Sequence, residues 1–232
     1  MFGSILFQQL YNIADSLVAG KLIGEHALAA VGSTYSLNFL ILGFIQGACV
    51  GFGIPVAEAF GAKNRDDLHR YLANGALLCV AVSVVFAIFT TLLAAPLLEL
   101  IHTPDDIFSD AVKYIRVIFL GIPATVLYNY SASVLRSLGD SRHPFYFLLG
   151  ASIVNIGLDW ALIVPVGMGV DGAALATIVA QFISFFLCAG RLLRTDEEYR
   201  VSIRKIGFDW PMLKLIINYG LPSGLQNSVI AI

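Results

Sequence analysis

Charge is scarce in this sequence of 232 residues: Asp, Glu, Lys and Arg make up 13% of it, about half the share of an ordinary soluble domain. Hydrophobic residues make up 58%, more than the interior of a soluble fold of this size can hide. A water-soluble enzyme domain is therefore excluded as the starting point. Cysteine is almost as rare. Cys49, Cys79 and Cys188 all fall inside apolar stretches and are spaced for neither a zinc site nor a redox pair, so they read as small packing residues. The net charge of −2, with no basic run interleaved with aromatics, gives no surface for nucleic acid. The four histidines, His26, His69, His102 and His143, sit at helix ends or loops rather than as paired metal ligands or a base beside a nucleophile, which argues against an enzyme. Nor does Met1 to Gly20 read as a cleavable leader, because it lacks a basic flank and Gln8, Gln9, Asn12 and Asp15 interrupt its apolar core.

What is present is a series of long uncharged runs. Stretches free of Asp, Glu, Lys and Arg extend from Ala27 to Ala57, Tyr71 to Leu98, Val117 to Leu135 and Gly172 to Gly190. Each is long enough to cross a hydrocarbon layer of ~30 Å as a helix. Backbone polar groups have no water partner there, and the runs lack the ten-residue alternation of barrel strands, so the spans are helical. Hydropathy and helix breakers together predict helices near Met1 to Gly20, Ser33 to Phe60, Tyr71 to Ile101, Ala111 to Leu135, Pro144 to Pro165 and Gly172 to Leu193, with a truncated one from about Leu215. The expected fold is an all-α membrane protein, a six-helix transmembrane bundle followed by the start of a seventh helix. The expected organisation is a transmembrane lobe over residues 1–194, a charged cytoplasmic linker over 195–214 and the beginning of helix seven over 215–232.

Orientation follows from the basic residues. The connections after the second, fourth and sixth spans carry Lys63, Arg65, Arg70, Arg136, Arg142, Arg191, Arg194, Arg200, Arg204, Lys205 and Lys214. Those after the first, third and fifth carry Lys21 alone, while Lys113 and Arg116 open the fourth span. The positive-inside rule then puts the N-terminus and the even-numbered connections in the cytoplasm of a cell whose inner (plasma) membrane holds the chain.

Polar side chains inside such spans are costly unless they face a cavity or a partner, which makes them the first candidates for function. The first span carries Gln8, Tyr11, Asn12 and Asp15 at i, i+3, i+4 and i+7, one stripe on one face. The fifth carries Ser152, Asn155 and Asp159 at like spacing, and the sixth Thr177, Gln181 and Ser184. At 1.5 Å per residue, Asp15, Asp159 and Thr177 all lie about five or six residues, roughly 8 to 9 Å, below the outer ends of their helices. Two carboxylates, the Asn155 amide and the Thr177 hydroxyl then converge on a pocket of hard oxygen ligands, suited to Na⁺ or a proton rather than a soft transition metal. An amide or hydroxyl in a membrane helix also serves as an ordinary interhelical hydrogen-bond partner, so Thr177 and Gln181 individually fit either role. The aspartates fit it poorly, because no Lys or Arg lies at their depth. Thr125, Tyr128 and Asn129 are nearer the midplane of the fourth span. Pro55, Pro96 and Pro123 fall within or near the ends of spans, where proline kinks helices.

The sequence resembles one known family, the multidrug and toxic compound extrusion (MATE) transporters, over essentially its whole length. The resemblance is carried by Gln9-Leu10-Tyr11-Asn12-Ile13-Ala14-Asp15, Ala27 to Gly32, Phe60-Gly61-Ala62-Lys63-Asn64, Leu135 to Arg142 (LRSLGDSR), Asn155-Ile156-Gly157-Leu158-Asp159 and Gly169 to Thr177 (GVDGAALAT), in order and each at its place relative to a span. It implies one lobe of a twelve-helix protein whose two six-helix lobes enclose the substrate, with the C-terminal lobe of the same transporter as partner. The chain begins later than the family pattern and stops within the seventh helix, so a fragment of a longer transporter is expected. In prokaryotic members with this pattern, an Asp on the first helix, an Asn and an Asp four residues apart on the fifth and a Thr on the sixth hold a cation. The matching positions are Asp15, Asn155, Asp159 and Thr177, which by resemblance would hold Na⁺ if the protein is sodium-coupled. Tyr11 and Asn129 also match polar positions near that site. With Gln8, Asn12 and Gln181 they are candidates for lining the cavity or supporting the ligands.

The implied activity is export of amphipathic or cationic organic compounds, drugs and toxins among them, in exchange for Na⁺ or H⁺. No cofactor is implied besides the coupling ion, and the partners are a small organic substrate and membrane lipid. An oxygen cage binds Na⁺ and a carboxylate pair can share a proton, so both ions stay open. The alternative within the wider superfamily is a lipid-linked oligosaccharide flippase. Such proteins line their cavity with Arg or Lys for pyrophosphate, and no basic residue lies mid-span here.

Overall fold

The computed structural model describes residues 20–194 and 208–229, and among them every regular element is a helix. In chain order these are α1 (Glu25–Gly61), α2 (Arg65–Leu100), α3 (Asp105–Leu120), α4 (Ile122–Ser137), α5 (Arg142–Ile163), α6 (Val170–Leu193) and α7 (Trp210–Val229). The first expected span, with Gln8, Tyr11, Asn12 and Asp15, and most of the charged linker lie outside the described residues.

Local chemistry explains where the helices stop. After α1, Lys63 takes the left-handed conformation at φ 55, and the Asn64 amide donates back to the Ala59 carbonyl at 3.0 Å. That six-to-one bond satisfies a carbonyl the helix end would leave bare. Asn64 then caps α2, its Oδ1 accepting from the Asp67 amide at 3.3 Å. The same device closes α2 at His102 (φ 57), where Thr103 donates to Leu98. It closes α4 at Gly139 (φ 88), where Asp140 donates to Leu135.

The expected fourth span, Ala111 to Leu135, is two helices. α3 and α4 meet at Gly121 with a bend of 45°. Pro123 sits in the first turn of α4, where its missing N–H and its ring end the hydrogen-bond ladder of α3. Pro55 and Pro96, by contrast, are accommodated inside continuous α1 and α2. Helix α7 begins at Trp210, five residues ahead of the expected start near Leu215.

Burial runs opposite to that of a soluble bundle. On α2 the large apolar side chains face outward, Val85, Phe89 and Leu92 being 61%, 64% and 72% exposed. Its buried face holds Ala73, Asn74, Gly75, Cys79, Ser83 and Ala87. Small residues inside let helices approach closely, and large apolar ones outside suit a solvent of acyl chains. Tyr130 of α4 packs onto Gly75, and its hydroxyl donates to the Leu72 carbonyl at 3.0 Å. Four described helices, α1, α2, α5 and α6, are long and apolar enough to cross a membrane, and the bent pair α3 and α4 supplies a fifth crossing if counted together.

Two antiparallel seams organise the bundle. Along the first, α7 lies on α1 with Gly47 and Gly51 against Ser223, Gly224, Tyr219 and Gly220. The second joins α5 to α6.

Candidate functional site

Helix α5 positions the candidate ligands. Ser152, Asn155 and Asp159 fall three and four residues apart on one face, and all three are buried, Asn155 and Asp159 at 0% exposure. The opposite face carries Ile153, Val154, Ile156 and Trp160, all exposed. The spacing therefore turns the polar stripe inward and the bulky stripe toward lipid.

Contacts along the second seam fix its register. Ile163 clusters with Ala173 near one end, and Ser152 and Gln181 with Ser184 line a small void of about 10 Å³ further along. Counting in opposite directions from these points sets Asp159 level with Thr177 and Asn155 level with Gln181. Four of the sequence-derived polar residues thus share one stretch of the α5–α6 seam.

The side chains differ in how they are engaged. Thr177 donates from its hydroxyl to the Ala173 carbonyl at 3.1 Å, one turn back on its own helix. The Gln181 Oε1 atom is buried with no hydrogen-bond partner among the described residues, an arrangement that costs free energy unless something else completes it. Asn129 on α4 is buried but donates to the Thr125 carbonyl at 2.8 Å on its own helix. One of its two amide N–H groups is thus used locally. Asp15, the second carboxylate, lies outside the described residues. Among the described residues no three His, Cys, Asp or Glu side chains gather as a metal cluster.

Two polar clusters near helix ends gained no role from the sequence. Arg70 of α2 pairs with Asp209 at the start of α7, Asn74 Oδ1 accepts from the Asp209 amide at 3.0 Å, and the Tyr219 hydroxyl donates to Glu58 at 3.2 Å. These bonds tie the entry of α7 to α1 and α2. At the turn between α4 and α5, Asp140 accepts from Arg191 Nε at 3.2 Å, from His143 Nδ1 at 2.7 Å and from the His143 amide at 3.2 Å. The available signal for the second cluster was the Gly139-Asp140 pair after an arginine-bearing helix end. Its partner on α6 is 51 residues away, and no spacing rule reaches that far.

Buried amides and a buried carboxylate on helices that present bulky apolar side chains outward define a polytopic helical membrane protein with an internal polar site. The MatE family model matches residues 1–161, and the chain belongs to that family. It is 30% identical over 230 residues to the probable multidrug resistance protein YpnP of Bacillus subtilis (strain 168), covering 99% of this chain and 51% of that protein. Among solved structures it is similar to a MATE family multidrug resistance transporter of the MOP superfamily in its inward-facing conformation, with a TM-score of 0.87, 27% identity and coverage of 97% of this chain and 51% of that one. The outward-facing conformation matches with a TM-score of 0.86, again at 27% identity, over 97% of this chain and 50% of that one. The chain spans about half the length of the relatives it matches.

Proposed function

We propose that this chain is the N-terminal lobe, a cytoplasmic linker and the opening of helix seven of a secondary antiporter. The transporter exports amphipathic or cationic organic compounds and is driven by inward flow of Na⁺ or H⁺. The observation that carries the reading is Asp159, a carboxylate at 0% exposure one helical turn from the equally buried Asn155. A carboxylate enclosed in a membrane helix is costly, and exchange of a cation is a use that offsets the cost. Asp15 supplies the second carboxylate in this reading, Asn155 and Thr177 the neutral oxygens, and Gln181 a further oxygen one turn away.

Na⁺ and H⁺ compete for the same pair of carboxylates in this reading, so either ion leaves the site with the same net charge. The near-equal match of the chain to inward- and outward-facing structures supports a lobe that moves as a unit against its partner, the substrate being carried between the two. The Lys and Arg distribution supports an N-terminus in the cytoplasm and insertion in the cell's inner membrane.

Vesicles bearing the whole transporter test the reading. An inward gradient of Na⁺ or of protons should accelerate efflux of a fluorescent organic cation, and efflux indifferent to both gradients overturns it. Orientation is tested in intact cells with single cysteines at Lys63, Asp106 and Arg200. An impermeant reagent should label only the Asp106 position.

A further inference from the structure

A cavity of about 380 Å³ opens at the turn between α4 and α5, bordered by Leu135, Leu138, Asp140, Ser141, Arg142 and Arg191 among others. It lies at the opposite end of α5 from Asp159 and plays no part in the proposed ion site. Its walls are of two kinds, leucine side chains on α4 and polar groups on the turn and on α6.

The polar groups are arranged around one carboxylate. Asp140 takes the bond from Arg191 Nε at 3.2 Å and both bonds from His143. Burial alone would push its carboxyl up, but the bonds from His143 and Arg191 outweigh that and hold it below the usual carboxylate range. Asp140 therefore stays charged and keeps the guanidinium of α6 at the mouth of the cavity. Arg142 lines the same opening, is exposed, and makes no hydrogen bond or ion pair among the described residues. Arg191 is 40% exposed even while paired. Among the described residues, two arginines thus border the cavity against one aspartate, with Arg136 one turn earlier on α4. The first turn of α5, formed by Arg142 and His143, adds the positive end of a helix dipole.

We propose that this cavity binds a phosphate group, with Arg142 and Arg191 as its ligands and Leu138 against the apolar part of the molecule that bears it. Guanidinium forks match phosphate oxygens in geometry and keep their charge at every physiological pH. Basic pockets between helices at the cytoplasmic face are where anionic headgroups settle, and the Lys and Arg bias assigns this turn to that face. The phosphodiester of an anionic lipid and a free phosphate ester share the chemistry. Asp140 is a positioning residue that repels the anion from its own oxygens and directs it toward the arginines. The inference rests on the chain being a membrane protein and is independent of ion-coupled export.

Native mass spectrometry of the full chain, released from detergent with equal phosphatidylglycerol and phosphatidylcholine, tests it. Retention of phosphatidylglycerol should exceed that of phosphatidylcholine by about tenfold. The preference should vanish in R142Q/R191Q and persist in R142K/R191K. Ser141→Glu, an exposed change at the rim, should weaken it without any loss of buried packing. A parallel arm adds inorganic phosphate alone. Retained phosphate without a lipid preference, lost in R142Q/R191Q, assigns the site to a free phosphate ester. The proposal is overturned if neither lipid preference nor phosphate retention is seen, or if either survives in R142Q/R191Q.

Discussion

The two seams of this bundle are built from different materials. Where α7 lies on α1, backbone meets backbone: an added Cβ at Gly51 would stand 2.5 Å from the Tyr219 carbonyl oxygen, and one at Gly224 would stand 2.9 Å from that of Phe44. The polar bonds there, Asn227 to the Gly43 carbonyl at 3.3 Å and Ser228 to the Leu40 carbonyl at 3.3 Å, only reinforce the close approach. Between α5 and α6 the residues that could have been small and inert are instead Asn155, Asp159, Thr177 and Gln181. Close packing in a membrane needs small side chains and little else. A carboxylate adds nothing to it, and taking one out of water costs several kcal/mol that its surroundings must offset. In the proposed reading the first seam holds the bundle together and the second carries the ion site.

The sharpest way to break this contrast is Asp159→Asn in the whole transporter. The amide keeps the shape and is cheaper to bury than the charge, so membrane insertion and helix content should be unchanged while ion-driven efflux falls to background. Wild-type efflux between pH 6 and 8 at every Na⁺ concentration would make Asp159 a packing residue like those of the other seam.

Gly51→Val attacks the opposite side of the comparison. The new side chain meets the Tyr219 and Gly220 backbone, which cannot yield as a flexible side chain would. Overpacking of this kind costs about 1–3 kcal/mol, enough to shift α7 along or away from α1. A disulfide between Gly43→Cys and Asn227→Cys, formed readily in the parent, should form poorly in the Gly51→Val background. Unchanged cross-linking would mean that the glycines are incidental to the seam.

How much of this contrast could be read in advance depends on the range of the interaction involved. The apolar runs, the inward stripe of Ser152, Asn155 and Asp159 and the even spacing of basic residues are one-dimensional patterns, and the described helices follow them. The bend at Gly121 was hidden because Ala111 to Leu135 reads as one span. Proline acts on the turn before it, and only the geometry shows that Pro123 ends a ladder where Pro55 and Pro96 do not. The depth argument matched Asp159 to Thr177, and the seam register agrees. Spacing alone does not show that Thr177 donates to its own helix or that Gln181 Oε1 lacks a donor among the described residues. The pairing of Gly47 and Gly51 with Gly220 and Gly224 joins segments well over a hundred residues apart. Each half is visible as a spacing of four, but nothing in the spacing says which halves meet. Asp15 was selected by sequence alone, and its place in the site is part of the proposal.

Thr177→Ala gives a smaller effect on the same seam. It removes one neutral oxygen and a bond to the Ala173 carbonyl within its own helix, and the net worth of such a group is about 1 kcal/mol. The Na⁺ or proton concentration for half-maximal efflux should rise by roughly fivefold, with the maximal rate little changed. A loss as complete as that of Asp159→Asn would place Thr177 beside the carboxylate as an essential ligand rather than an auxiliary one.

The smallest expected effect lies outside both seams, at the α4–α5 turn, and it has a sign set by linkage. Bonds from His143 and Arg191 depress the Asp140 carboxyl in the folded chain, whereas an unfolded Asp titrates near 3.9. A depressed carboxylate contributes stability that is fully present above the unfolded value and is lost as pH falls through the lower folded one. A nitroxide on Ser141→Cys, an exposed position next to Asp140, should therefore keep constant mobility from pH 8 to about pH 5 and loosen only below about pH 4. In an Asp140→Asn background the probe should be mobile at every pH, because the amide cannot hold Arg191 and His143 by charge. Mobility that rises instead between pH 7 and 5 would show that loss of the Asp140 charge is not what releases the turn.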